Sequence, residues 1–265
     1  MSSRLAASSC CRREHGRAHA FHVKPDHGTT PFHVEPGLLL PPSAAGDLFG
    51  DRLDLAQRYV QHLATTGVEW GLIGPREVPR LWDRHVLNCA VLQELIEPDV
   101  QVADVGSGAG LPGLVLALCR PDLRLVLVEP LLRRVEWLTR VTDDLQLGNV
   151  EVRRGRAEDL AGSVQVPVVT ARAVAPLDRL VRWGLPLLQP GGQLLAIKGR
   201  TAAEELERTA PAVRRAGGVD SQILEVGAGV LGEPVTVVRV RSAMASTRRT
   251  TSAKARRRGT VPPPA

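Results

Sequence analysis

Residues 102–113 read VADVGSGAGLPG, an apolar run that closes on Asp104 and is followed by four glycines at 106, 108, 110 and 113. Glycine is entropically expensive unless the chain needs a positive φ or something must approach the backbone closely. Four within eight residues therefore point to a ligand rather than to an ordinary turn. The next segment, LVLALC at 114–119, is apolar enough to begin a buried helix, so the glycines stand between a strand and a helix N-terminus. In α/β proteins that junction receives nucleotide-like ligands, because main-chain N–H groups and the helix dipole face it.

Two glycine patterns overlap here. Gly108, Gly110 and Gly113 spell GxGxxG, the dinucleotide pattern, and Glu129 follows at the spacing of about 20 residues expected of a ribose-binding acid. Asp104 with Gly106, Gly108 and Gly110 spells D-x-G-x-G-x-G, the pattern of class I S-adenosylmethionine methyltransferases. Both ligands carry an adenosine whose ribose Glu129 would bind, so the motif alone leaves the two open.

The rest of the chain narrows the choice. Helical spacing of apolar residues predicts a helix over 53–66 and a second amphipathic helix from about Pro79 to Ile96. From 102 onward strands alternate with helices: LRLVLVEP ending at Glu129, NVEVRRG, VPVVTARAV and QLLAIKG are strands, and the helix over about 176–188 is expected to stop at the PGG of 190–192. The helix AAEELERTAPAVRRA continues despite Pro211, and SQILEVGAG and EPVTVVRVRS follow as two strands with no helix between them. Alternation specifies a doubly wound parallel sheet, and the last two strands must form an antiparallel hairpin. The expected fold is α/β and Rossmann-like: a seven-stranded, mostly parallel sheet with a terminal antiparallel hairpin and an N-terminal helical segment over 51–97. A dinucleotide oxidoreductase would need a substrate domain, and 265 residues leave no room for one.

The flanks read differently from this core. The net charge of +6 is matched by the six basic residues after position 242, where no acid occurs, so the charge says little about the folded part. Residues 243–265 are expected to be a basic disordered tail able to touch phosphates, residues 44–242 the folded domain, and residues 1–43 a disordered extension. That extension repeats FHVKP and FHVEP, and the codons TTT-CAC-GTG-AAA would make Phe-His-Val-Lys a DNA palindrome, so the segment is expected to be translated intergenic DNA upstream of the true start. No run of 18 apolar residues and no signal-peptide apolar region occurs, and Cys10, Cys11, Cys89 and Cys119 lack metal-ligand spacing. The expectation is a cytoplasmic monomer without metal or membrane contact.

REVPRLWDRHVLNCAVL at 76–92, then VADVGSGAGLPG, VEPLLRRVEWL, RGRAEDL, ARAVAPLDRLVRW and LLAIKGR together resemble the RsmG (GidB) family of small-subunit ribosomal RNA methyltransferases. The resemblance runs over most of 47–242. It implies transfer of a methyl group from S-adenosylmethionine to N7 of a single guanine, of the 527 type, in the decoding-region loop of 16S rRNA, with the rRNA or the 30S particle as partner. It also implies site residues. Asp104, Gly106, Gly108, Gly110 and Leu111 would carry the amino-acid moiety of the cofactor, Glu129 its ribose, and Ala157 and Glu158 its adenine; Arg172 would touch cofactor and active site. Arg84 and His85 would position the guanine or its phosphate, and Lys198 would hold RNA phosphate. Where family members have a serine before that arginine, this chain has Ala171, which removes a hydroxyl expected near the site.

Each assignment has a structural alternative. Glu129 could be a solvated loop acid, Glu158 a turn cap, Arg172 the partner of Asp104, Trp82 a core residue and His85 a hydrogen-bonded core histidine. Rival activities are a nicotinamide-dependent oxidoreductase, a methyltransferase acting on a small molecule or protein, and a noncatalytic RNA-binding protein that keeps the fold.

Overall fold

The computed structural model describes residues 39–244. The expectations placed on residues 1–38, with their FHVKP repeat, and on 245–265, with their arginines, lie outside the described residues. No helix among those described is long and apolar enough to cross a membrane.

The N-terminal segment opens with α1 (Ser43–Phe49) and α2 (Leu53–Ala64) and a single short turn, α3 (Thr66–Glu69). The helix expected from Pro79 to Ile96 is present as helical chain but not as one regular helix. A 3₁₀ stretch (Pro75–Arg80) passes into a π turn (Leu81–Val86), one α turn, α4 (Leu87–Ala90), and a final 3₁₀ stretch (Val91–Leu95). Pro79 inside the first stretch has no N–H to give and so prevents a continuous α ladder there. The π turn shifts the side chains after it relative to a 3.6-residue wheel, and His85 borders one space while Arg84 and Asn88 border another.

Strands β1 (Gln101–Val105), β2 (Arg124–Glu129), β3 (Val150–Arg154), β4 (Val166–Arg172), β5 (Leu188–Ile197), β6 (Gly218–Val226) and β7 (Val235–Ser242) form one sheet in the order β3-β2-β1-β4-β5-β7-β6. The first five are parallel, and β7 runs antiparallel to both β5 and β6. Helices α5 (Gly113–Cys119), α6 (Leu132–Asp144), α7 (Leu177–Gly184) and α8 (Ala202–Arg215) cover the faces. The PGG of 190–192 does not end a helix ahead of β5. It lies inside β5, where the pairing steps from Val166 opposite Leu188 to Val168 opposite Gln193, and the helix before it has already ended at Gly184, leaving a 3₁₀ turn over Leu185–Leu187.

Strand alternation divides the buried residues into two cores. Val102, Leu125, Leu127 and Val168 pack with the N-terminal helices, α5 and α6, while Ala103, Val126, Val169 and Ala171 pack with α7 and α8. Asp104, Thr170 and Arg172 fall on the first of these faces by the same alternation, which turns Arg172 toward the N-terminal segment. The order of strands reverses between β1 and β4, so a crevice opens at their carboxyl ends.

Candidate functional site

Gly106, Gly108 and Gly110 have φ of +72°, +57° and +85°, while Gly113 does not adopt a left-handed conformation. The three glycines after Asp104 are therefore needed for backbone shape. Gly113 is needed for a different reason: a Cβ there would stand 2.3 Å from Leu127 Cδ2 and 2.8 Å from Asp104 Oδ2. The glycine loop meets the loop after β4, since a Cβ on Gly106 would lie 2.6 Å from Val174 Cγ1.

Two acids hold this loop. Asp104 is fully buried beneath it and does not reach the crevice; its Oδ2 accepts the Gly113 N–H at 3.1 Å and its Oδ1 accepts the Thr170 hydroxyl at 3.0 Å. Burial raises its carboxyl to about 6, against the lowering effect of those bonds. Glu129 is 1% exposed at the end of β2, so it is no solvated loop acid. Its Oε2 accepts the Gly108 N–H and its Oε1 the Leu131 N–H, each at 3.0 Å. Each carboxylate oxygen keeps a further lone pair for a hydroxyl donor.

Beside Glu129 lies an apolar slot of about 230 Å³, walled by Val105, Val128, Ala157, Val174 and Trp183 and edged by Glu158. It suits a flat heteroaromatic ring. It joins, through Gly106 and Val174, a more polar space of about 350 Å³ lined by Ser107, Gly108, Leu111, Arg134, His85 and Arg172. A flat slot, a buried acceptor and bare backbone in this order fit an adenosine-bearing cofactor, with Ala157 and Glu158 at its base, Glu129 at its sugar and Gly106–Leu111 under its remainder. Asp104 holds the glycine loop from below through the Gly113 N–H.

Arg172 does not pair with Asp104. Its guanidinium donates to the carbonyls of Arg84 (3.0 Å) and His85 (3.3 Å), to Cys89 Sγ (3.4 Å) and to His85 Nδ1 (2.9 Å). A guanidinium only donates, so Nδ1 is the acceptor and the proton of the neutral imidazole sits on Nε2, which donates to Glu77 Oε2 at 2.7 Å. Burial keeps His85 below the ordinary histidine range, and the bond from His85 holds Glu77 below the ordinary carboxylate range. Burial likewise pushes the Cys89 thiol up to about 11, so it is a packed thiol here rather than a nucleophile.

Three expectations are redistributed. Lys198 is not a free cation for phosphate: its Nζ lies 3.0 Å from Glu205 Oε2 and donates to the Ala175 carbonyl at 3.1 Å, with 12% of its side chain exposed. Glu205 also accepts the Leu177 N–H at 2.7 Å, so the pair fastens α8 to the β4–α7 connection. Ala171 is fully buried in the α7/α8 core, on the face opposite Arg172, so a hydroxyl missing there is not missing from the crevice. Arg84 is half exposed; its Nη1 lies 3.7 Å from the Glu77 carboxylate that His85 also meets, but it borders a different groove from His85. Trp82 is a core residue; its Nε1 donates to the Leu39 carbonyl at 3.0 Å and its ring meets Phe49 edge-on at 6.3 Å.

Sequence reasoning passed over Glu77, Thr170, Glu205 and Tyr59. The Tyr59 hydroxyl donates to the Ala109 carbonyl at 2.7 Å and ties α2 to the glycine loop. The chain has a single tyrosine, which was a usable signal; nothing in the spacing marks Glu77 as the partner of His85.

The family model for rRNA small subunit methyltransferase G matches residues 52–231, a span that takes in the cleft described above. A ribosomal RNA small subunit methyltransferase G of Renibacterium salmoninarum is 63% identical over 199 residues, 75% of this chain and 93% of that protein. Its counterpart in Streptomyces avermitilis is 58% identical over 200 residues (75% and 84%), and that of Corynebacterium efficiens 52% over 225 residues (84% and 97%). With the glycine loop, the buried Glu129 and the Arg172–His85 contact all inside the matched span, this chain belongs to the rRNA small subunit methyltransferase G family.

Proposed function

We propose that the protein transfers a methyl group from S-adenosylmethionine to N7 of a single guanine in the decoding-region loop of 16S rRNA. The observation that carries this is the family match over 52–231, which spans the complete cleft. When bound, the cofactor supplies a methyl carbon on a positively charged sulfur. Guanine N7 brings a free lone pair and no proton. The reaction therefore asks no general base of the protein, and the neutral, donor-held state of His85 agrees with that.

The chain's own work is placement. Glu129 receives the sugar hydroxyls, the slot at Ala157 and Glu158 receives the adenine, and the loop Gly106–Leu111 offers its main chain to the amino-acid end. Arg172, braced by His85 and Glu77, sets the distance between sheet and N-terminal segment, and so the width of the space open to a guanine. Arg84 contacts RNA from the adjoining surface, and Lys198 positions the β4–α7 connection through Glu205. Orientation of this kind contributes up to about 7–11 kcal/mol in favourable cases. Residues 44–242 are the catalytic domain, working as a cytoplasmic monomer with a basic C-terminal tail.

Methyl transfer is tested by incubating the protein with labelled donor and 30S particles, naked 16S rRNA or unrelated protein, and mapping N7-methylguanine in the RNA. Label on protein alone, or heat of binding with a nicotinamide nucleotide but none with S-adenosylmethionine or its demethylated product, would overturn the proposal.

A further inference from the structure

Arg84 and His85 are neighbours in sequence, yet they border different spaces. His85 lines the cleft at the glycine loop, whereas Arg84 lines a groove of about 710 Å³ on the other side of the π turn. Arg80, from the 3₁₀ stretch, and Arg200, from the loop after β5, border the same groove. Two parts of the chain, the helical stretch at 80–84 and the loop after β5, thus bring three arginines to one concavity. Asp83 and Glu233 also line it. Among the described residues Arg80 and Arg200 make no ion pair, Arg84 reaches only Glu77 at 3.7 Å, and Lys198 beside them is already neutralised by Glu205.

The wall between groove and cleft is the main chain of residues 84 and 85, whose carbonyls Arg172 grips. An RNA strand that presents one base to the cleft must carry its neighbouring phosphates past this wall. Guanidinium forks match phosphate oxygens in geometry and charge, and contacts to the backbone fix register without reading sequence. We propose that this groove holds the phosphates flanking the target guanosine, with Arg80, Arg84 and Arg200 as the contacts. The proposal rests on the functional reading above and adds where the RNA backbone lies.

The test is filter binding of 30S particles, prepared from cells lacking this methylation, to the wild type and to the Arg80→Ala, Arg200→Ala and doubly substituted proteins across a salt series. Each substitution should weaken binding about tenfold at low salt and flatten the plot of log affinity against log salt by about one unit per lost phosphate contact. Affinity for S-adenosylmethionine, read by calorimetry, should not move. Arg214→Ala, an exposed position on α8 away from the groove, serves as the charge-matched control and should leave both readouts unchanged. Unchanged particle binding in the double variant, or an equal loss in Arg214→Ala, would overturn the groove assignment. Filter binding reads the groove whether or not methyl is transferred, so a wild type that binds with the expected slope but leaves the RNA unmethylated would overturn the functional reading alone.

Discussion

The two sides of the crevice are built by different means. On the β1–β2 side the buried acids take most of their partners from the loops they border, Glu129 from Leu131 and Gly108 and Asp104 from Gly113, with Thr170 as the one partner from β4. On the β4 side and in the N-terminal segment, partners come from far away, as in Arg172 with His85, Tyr59 with Ala109 and Trp82 with Leu39. The first side carries its shape in a short motif. The second acquires its shape only when the sheet and the helical segment meet, which is why its backbone passes through 3₁₀, π and α geometry within 21 residues, Pro75–Leu95.

The sharpest way to break the local side is Glu129→Ala. It removes the ribose acceptor and leaves the Gly108 and Leu131 N–H groups without their carboxylate. Two hydrogen bonds to a charged group at about 1.5 kcal/mol each correspond to a loss of donor affinity of about 100-fold. Calorimetric titration with S-adenosylmethionine checks this, and an affinity within threefold of wild type would remove Glu129 from the site.

The same contrast explains how much the sequence disclosed. The strand count, the mostly parallel sheet, the terminal hairpin and the glycine loop follow from periodicity and from glycines that local backbone geometry requires, and Glu129 follows from its distance to them. The fate of Lys198 does not, because whether a strand-end lysine faces solvent or a partner depends on where α8 delivers Glu205. The resemblance assigns Arg172 to the site but does not name the partners it meets. Asp104 stands on the strand paired with β4, and only the packing of the π turn brings the carbonyls of Arg84 and His85 to the guanidinium instead. The PGG inside β5 misled for a related reason: a turn signal marks a departure from regular pairing, and the sheet accommodated it as a register step.

The distant side is probed by Lys198→Met. Glu205 keeps the Leu177 N–H but loses its cation while 14% exposed, and breaking such a pair costs about 3 kcal/mol of stability. Urea titration should register that loss, and adding Glu205→Gln should recover part of it together with methyl transfer. A double variant that is as stable as wild type yet inactive would return Lys198 to direct contact with RNA.

Asp104→Asn separates support from ligand contact by way of pH. The folded-state value of about 6 lies above the ordinary aspartate value of about 3.9. Between those pH values the folded protein holds a proton that the unfolded chain has released, so this group lowers stability as pH rises through that window, and the reduction is complete above about pH 6. The asparagine can accept from Gly113 and donate to the Thr170 oxygen without carrying a charge. The stability of the variant minus that of wild type should therefore grow by about 2–3 kcal/mol from pH 4 to pH 6.5. A difference that stays flat, measured by urea unfolding at each pH, would mean that the carboxyl is not held in a raised state beneath the loop.

The mildest expected effect lies farthest from the crevice. Trp82→Phe keeps an aromatic ring against Phe49 but deletes the indole N–H that reaches the Leu39 carbonyl, the bond that ties the start of the described chain to the π turn. Losing one neutral bond and a little packed area costs about 1 kcal/mol, a fall of about 2–4 °C in Tm for a domain of this size. Because the π turn is braced on its other side by Arg172, donor affinity and methyl transfer at 25 °C should stay within twofold of wild type. A Tm that falls as stated with transfer reduced tenfold would show that the outer attachment sets the position of Arg84 and His85. The N-terminal segment would then be a single unit reaching from Leu39 to the cleft rather than a scaffold fixed by its inner contact alone.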